Sequence, residues 1–157
     1  MESIVIEITG HPIAKGRGRV GRLANGRPAV FTPTKTRKWE ADARIMARQA
    51  LSGRAPLSGP VRCSIRAFFT PPASWPAWKR EAAIDGLVAH TSKPDSDNLT
   101  KAAKDAMNGI VWLDDAQVVQ TWTSKLYGET PRVLIEVEPM EAAACQITRR
   151  EQMKGAE

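Results

Sequence analysis

A chain of 157 residues with 42% hydrophobic and 25% charged side chains is long enough for one domain with a core and too apolar for a disordered segment. Its formal charge of +6 favours an anionic partner without by itself selecting nucleic acid. No apolar run approaches the length of a membrane span, and Met1-Glu2-Ser3-Ile4 lacks the basic-then-apolar order of a signal peptide, so the expected setting is the cytoplasm with no membrane partner.

From the N-terminus, Ile4, Ile6 and Ile8 alternate with Val5 and Glu7, which predicts a strand ending at Gly10-His11-Pro12. Residues 15–26 are rich in Gly and Arg without apolar periodicity and read as a loop or loose hairpin, with residues 27–32 returning as a short strand. Lys15, Arg17, Arg19, Arg22 and Arg27 crowd this segment. It is not a P-loop, because it lacks the Gly-Lys-Ser/Thr ending, but its amides and guanidinium groups suit phosphate contact; the alternative is a solvated loop.

Pro33-Thr34-Lys35-Thr36 opens a helix in which Thr34 or Thr36 is the expected cap. Trp39, Ala43, Met46, Ala47, Ala50 and Leu51 share its apolar face, and Ser52-Gly53 ends it. Residues 60–69 form the second long strand, with Val61, Cys63, Ile65, Ala67 and Phe69 on one face. Cys63 and Cys145 fit no metal spacing, and Cys63 reads as a buried thiol in a reducing compartment. After a turn at residues 71–76, a short helix is expected over 77–88.

A third helix carries Leu99, Ala102, Ala103, Ala106 and Met107 and closes at Asn108-Gly109. Residues 110–113 read as a brief extended piece, and residues 118–127 and 132–138 as an antiparallel pair around Gly128-Glu129-Thr130-Pro131. Trp39, Trp112 and Trp122 occupy apolar-pattern positions and are expected in the core. Trp75 and Trp78 either anchor the short helix or stack on exposed bases. His11 and His90 have no partner spacing that would make them ligands. The expected fold is an α+β domain over residues 1–140, a mixed sheet of about five strands packed by helices. Residues 141–157 form a polar, alanine-rich tail, helical or frayed.

The most informative stretch is acidic. Within a basic chain, Asp95 and Asp97 follow Lys93-Pro94, and Asp114-Asp115 stand about one helix later. Carboxylates gathered on a basic surface repel phosphate unless a divalent cation sits between them, which is the electrostatics of a metal-dependent nuclease. If residues 95–97 are extended, both carboxylates project to one side with Cα atoms roughly 6.5 Å apart, suited to one Mg²⁺, and Asp115 can return to the same edge. The competing explanation is that Asp97 caps the helix and Asp114-Asp115 are turn residues. Lys101 lies four residues after Asp97 and four before Asp105. It is either part of a solvated salt-bridge ladder or a cation at the phosphate.

The run Lys93-Pro94-Asp95-Ser96-Asp97-Asn98-Leu99-Thr100-Lys101, then Asp105-Ala106-Met107-Asn108-Gly109, then Trp112-Leu113-Asp114-Asp115-Ala116-Gln117-Val118 resembles the signature of the RusA family of Holliday-junction resolvases, small phage- and prophage-associated endodeoxyribonucleases. Gly10-His11-Pro12-Ile13-Ala14-Lys15-Gly16-Arg17 and Thr32-Pro33-Thr34-Lys35-Thr36 also resemble the start of many members, so the likeness spans most of residues 4–137. The resemblance implies a homodimer that binds four-way DNA junctions and makes paired, symmetry-related cuts with Mg²⁺. It places the family's essential carboxylates on Asp95, Asp97 and Asp115 and its essential lysine on Lys101, with Asp114 secondary. Pro94 stands where some members have arginine, Gly18 where proline is common, and residues 71–90 are longer than in the shortest members.

The expected function is therefore Mg²⁺-dependent hydrolysis of phosphodiesters at branched DNA in recombination and repair. Asp95, Asp97 and Asp115 bind metal. Lys15, Arg17, Arg19, Arg22, Lys93 and Lys101 contact nucleic acid. The rivals are a module that binds branched DNA or RNA without cutting and an adaptor whose aspartates are only caps.

Overall fold

In the computed structural model, which describes residues 3–141, the first strand is β1 (Ile4–Thr9). It buries Ile4, Ile6 and Ile8 on one face and exposes the residues between them, as its alternation predicts. A short antiparallel ribbon follows, β2 (Arg19–Arg22) with β3 (Pro28–Phe31). The long helix α1 (Thr34–Leu51) leads to β4 (Val61–Phe69), then α2 (Ala77–Ile84), α3 (Ser96–Met107), one 3-10 turn (Asp115–Gln117), β5 (Val118–Tyr127) and β6 (Arg132–Pro139). The short helix thus ends at Ile84, before the expected Val88; Gly86 beyond it has φ +80°. The tail beyond Glu141, with Cys145, lies outside the described residues.

The fold is α+β, as expected, with a mixed four-stranded sheet in the order β1-β6-β4-β5. The ribbon β2-β3 forms a separate two-stranded sheet, so the main sheet has one strand fewer than the sequence suggested. β5 and β6 run in opposite directions, but they are not neighbours. β4 lies between them, parallel to β5 and antiparallel to β6. The reason is burial. β4 buries more residues than any other strand, Val61, Cys63, Ile65, Ala67 and Phe69, and a strand of that kind is covered best inside the sheet. Residues 128–131 pass over its end, where the Gly128 amide donates to the Phe69 carbonyl at 2.9 Å. A Cβ at Gly128 would meet Phe68 Cδ1 at 3.2 Å, so the chain crosses close to that ring.

The helices cover one face of this sheet. α1 contributes Trp39, Ala43, Ala47 and Leu51, and α3 contributes Leu99, Ala102, Ala103, Ala106 and Met107. Small residues on both helices let α1 and α3 approach closely, while the isoleucines, valines and Met107 supply most of the apolar area. Each large side chain fully buried here contributes roughly 1.5–3 kcal/mol. α1 ends as expected, with Ser52 and Gly53 in the left-handed region at φ 49° and 80°. Its start differs. Pro33 occupies the cap position without a side-chain cap bond, and Thr36 is buried inside the first turn. The Thr36 hydroxyl donates to the Ala14 carbonyl at 3.3 Å and accepts from the Gly16 amide at 3.4 Å. It fastens the N-terminal loop instead of capping the helix.

Trp39 and Trp112 are in the core, at 7% and 0% exposure, but Trp122 is 61% exposed. A register shift between Val61 and Arg62 explains this. Val61 pairs with Val118, whereas Cys63 pairs with Thr121 and Ser64 with Trp122. One skipped residue exchanges the faces of β5, so Thr121, Thr123, Lys125 and Tyr127 point to the helix side and Trp122 to the other. Arg62 lies over the exposed indole, 5.3 Å from its centre.

Candidate active site

The polar face that β5 turns towards α3 creates a cleft of about 580 Å³. Ser96, Asp97, Thr100, Lys101, Lys104 and Asp105 of α3 form one wall, spaced at helical intervals beside the buried stripe of the same helix. Asp115, Thr121 and Thr123 form the other. The walls touch where the hydroxyls of Thr100 and Thr123 stand 2.6 Å apart, and Thr100 also donates to the Ser96 carbonyl at 2.8 Å.

Each acidic residue has a separate local cause. α3 begins at Ser96, with Asp95 extended at the cap position and making no side-chain cap bond. Asp97 is in the first turn of the helix and is not its cap. The extended 95–97 geometry that would align both carboxylates is therefore absent, because residues two apart on a helix face different ways. Asp97 faces the cleft, and Asp95 is exposed beside it but does not line it. The adjacent pair Asp114-Asp115 divides its tasks. Asp114 caps the 3-10 turn, accepting from the Ala116 amide at 2.8 Å, and is the turn residue. Asp115 Oδ1 accepts from the indole N–H of the fully buried Trp112 at 2.8 Å, which fixes its carboxylate at the cleft.

Lys101 is exposed at the cleft and pairs with neither Asp97 nor Asp105 among the described residues, so the salt-bridge ladder does not form. Asp105 is taken by Lys15, whose ammonium lies 2.8 Å from Asp105 Oδ2 and 2.7 Å from Glu40 Oε1. Burial acts to lower the pKa of Lys15, but the hydrogen bonds to Asp105 and Glu40 outweigh it and leave that pKa raised. The other cations expected to meet nucleic acid, Arg17, Arg19, Arg22 and Lys93, are exposed, with Arg19 and Arg22 on the ribbon. The segment 10–39 contains no Asp or Glu.

Lys125 supports the start of α3. From β5 its ammonium donates to the carbonyls of Ser92 at 2.7 Å and Pro94 at 3.0 Å, holding the segment that delivers Asp95. Sequence reading missed Lys125, Lys104 and the threonines of the cleft. The signal was present in β5, where Thr121, Thr123 and Lys125 alternate along one face, but the register shift hid which face that is. Trp75 anchors rather than projects, packing edge-on against Tyr127 with ring centres 5.5 Å apart, whereas Trp78 is 70% exposed. Cys63 is a buried thiol, its pKa pushed up to about 12 by burial.

Among the described residues, no three His, Cys, Asp or Glu side chains stand together as a ready metal cage. Of the three carboxylates that line the cleft, Asp105 is held by Lys15, which leaves Asp97 and Asp115, with hydroxyls nearby. Hard oxygen donors in an open cleft fit Mg²⁺, which keeps several waters and takes one or two carboxylates together with substrate oxygens.

A basic α+β domain with carboxylates and a free lysine in one open cleft is the build of a phosphodiesterase acting on nucleic acid. The chain belongs to the RusA endodeoxyribonuclease family: the family model described as Endodeoxyribonuclease RusA matches residues 9–138. It is also 34% identical over 144 residues to the uncharacterized protein YqaN of Bacillus subtilis (strain 168), covering 90% of this chain and 100% of the relative. Membership makes the protein a nuclease, a hydrolase of DNA phosphodiesters, within a family of Holliday-junction resolving endonucleases. No helix among the described residues is long and apolar enough to cross a membrane.

Proposed function

We propose that the protein is a Mg²⁺-dependent, structure-selective endonuclease that resolves four-way DNA junctions by paired cuts in recombination and repair. The observation that carries this reading is the shared cleft of Asp97, Asp115 and Lys101 at the foot of a strongly cationic arm. A module that only binds DNA gains nothing from carboxylates in such a cleft.

Asp97 and Asp115 are the metal-holding pair, with Asp95 as the third carboxylate, exposed and without a cap bond to break. When bound, Mg²⁺ supplies Lewis-acid polarisation of the scissile phosphate and lowers the pKa of a water. Trp112 holds Asp115 in one orientation. Lys101, free of protein carboxylates, contacts the phosphate and stabilises charge that grows on it during attack by water. The Thr100–Thr123 contact keeps the two walls at a fixed separation. Arg17, Arg19, Arg22 and Lys93 hold the DNA backbone around the cleft.

Among the described residues one chain carries one such cleft, so paired cuts require a homodimer with two-fold symmetry. The sheet face away from the helices, with Val5 53% and Trp122 61% exposed, is the surface we assign to the contact between copies. A labelled four-way junction incubated with protein and Mg²⁺ tests the whole reading. Symmetric nicks in opposed strands are expected. A shifted but intact junction would leave only a binding protein. Light scattering of the free protein should give twice the mass of one chain, and a monomer both on and off DNA would overturn the dimer.

A further inference from the structure

Lys15 belongs to the cationic segment by sequence, yet its surroundings set it apart from the arginines that follow. Its side chain is 22% exposed, and its ammonium is held 2.7 Å from Glu40 of α1 and 2.8 Å from Asp105 of α3. Its backbone amide donates to the carbonyl of Asn98 in the first turn of α3 at 2.9 Å. On either side, Ala14 and Gly16 are tied to the buried Thr36 hydroxyl. Gly16 runs so close to α1 that a Cβ there would meet Pro33 Cγ at 2.8 Å. Residues 14–16 are thus clamped to both helices, and the exposed arm begins immediately beyond, at Arg17.

We propose that Lys15 is a positioning residue: it latches the root of the β2-β3 arm to α1 and α3, beside the cleft that Asp105 lines, and so limits where the arginines of the arm can meet DNA. A lysine satisfied by two carboxylates has little left to offer a phosphate, since releasing it would uncover both acids, and one of them lines the cleft. The ion pair also removes the repulsion that a bare Asp105 would exert on an entering phosphate. An arm held in place before DNA arrives loses less conformational freedom on binding, which is how a residue that touches no DNA strengthens the contact. The inference rests on the nuclease reading for its purpose, but not for its geometry.

The test uses the full chain without DNA or metal. An arginine-specific protease reports the exposure of Arg17, Arg19 and Arg22 against the cutting of the folded body at Arg62 and Arg132. Lys15→Met and the combined change Glu40→Ala with Asp105→Ala should each speed arm cleavage roughly tenfold while body cleavage stays slow, and all three changes together should be no faster than either, because both remove one latch. In DNA cleavage by the same variants, the loss should fall mainly on KM. Arm cleavage at the wild-type rate in the Glu40→Ala, Asp105→Ala variant overturns the latch, and that variant decides the matter alone if Lys15→Met does not fold. Unchanged arm cleavage with a flattened salt dependence of DNA binding in Lys15→Met also overturns it and makes Lys15 a phosphate contact. Because the protease readout involves no cleavage of DNA, a chain that cuts nothing still gives an answer here, while its inactivity counts against the nuclease reading alone.

Discussion

The buried indole of Trp112 donates to Asp115 Oδ1 at 2.8 Å, so the core reaches directly into the cleft and sets the orientation of one of its carboxylates. Replacing Trp112 by Phe keeps most of the apolar volume and removes this one donor. The expected cost is about 1–3 kcal/mol of stability. Cleavage should slow mainly through kcat, since the carboxylate remains but is no longer fixed. Denaturant melts and saturation kinetics check both; a variant with normal kcat would make the contact a matter of packing only.

The α1–α3 seam depends on small side chains. Ala43, Ala47 and Ala102 are at 0% exposure and Ala103 at 1%. Ala103→Leu overpacks this seam and should destabilise by about 1–3 kcal/mol. Exposed Ala41→Leu on α1 is the control and should change stability by less than ~0.5 kcal/mol. Equal melts for the two variants would mean that the helices do not meet as closely as described.

Arg17, Arg19 and Arg22 are exposed on an arm that carries no acid. Each Arg→Ala change that removes a phosphate contact should lower the salt slope of junction binding by ~0.9. Fluorescence anisotropy over a range of salt concentrations measures it, and an unaltered slope in the triple variant would make the arm a solvated projection.

His90 stacks on Phe69 with ring centres 4.1 Å apart and lies beside Tyr127 at 4.9 Å. Burial first, and then the charge of Lys125, lower its pKa below the ordinary 6.5. The unfolded chain therefore binds a proton that the folded one refuses in the window between that lowered value and 6.5. Stability should be full above the unfolded pKa and fall as pH drops through this window. His90→Gln should show less of that fall in denaturant titrations between pH 7.5 and 5.5; an identical pH dependence in the two proteins would contradict the assignment.

Much of this architecture is legible in the residues because burial is one-sided. The isoleucines of β1, the alternating face of β4 and the Leu99-to-Met107 stripe of α3 each declare an inner face by period. What stayed hidden depends on partners distant in sequence. Nothing in the local pattern of β5 reveals that it pairs with β4 past a register shift, and this single event puts Trp122 outside and the threonines in the cleft. Likewise, no local signal couples Lys15 to Asp105 or Thr36 to Ala14. The geometry of the acidic motif was not legible, because the helix starts two residues earlier than a cap at Asp97 requires.

The central claim is that Asp95, Asp97 and Asp115 serve catalysis rather than folding. Asn preserves their shape, caps a helix about as well as Asp, and at position 115 can still accept from Trp112 through its amide oxygen. What it removes is the charge that Mg²⁺ requires and that repels phosphate. The deciding measurement is cleavage of a labelled four-way junction in Mg²⁺ by purified Asp95→Asn, Asp97→Asn and Asp115→Asn, each with its thermal melt and its metal-free junction affinity. The account predicts loss of cleavage by orders of magnitude, nearly unchanged melting, and binding as tight as wild type or tighter. Wild-type rates of cutting by the Asn variants would contradict it.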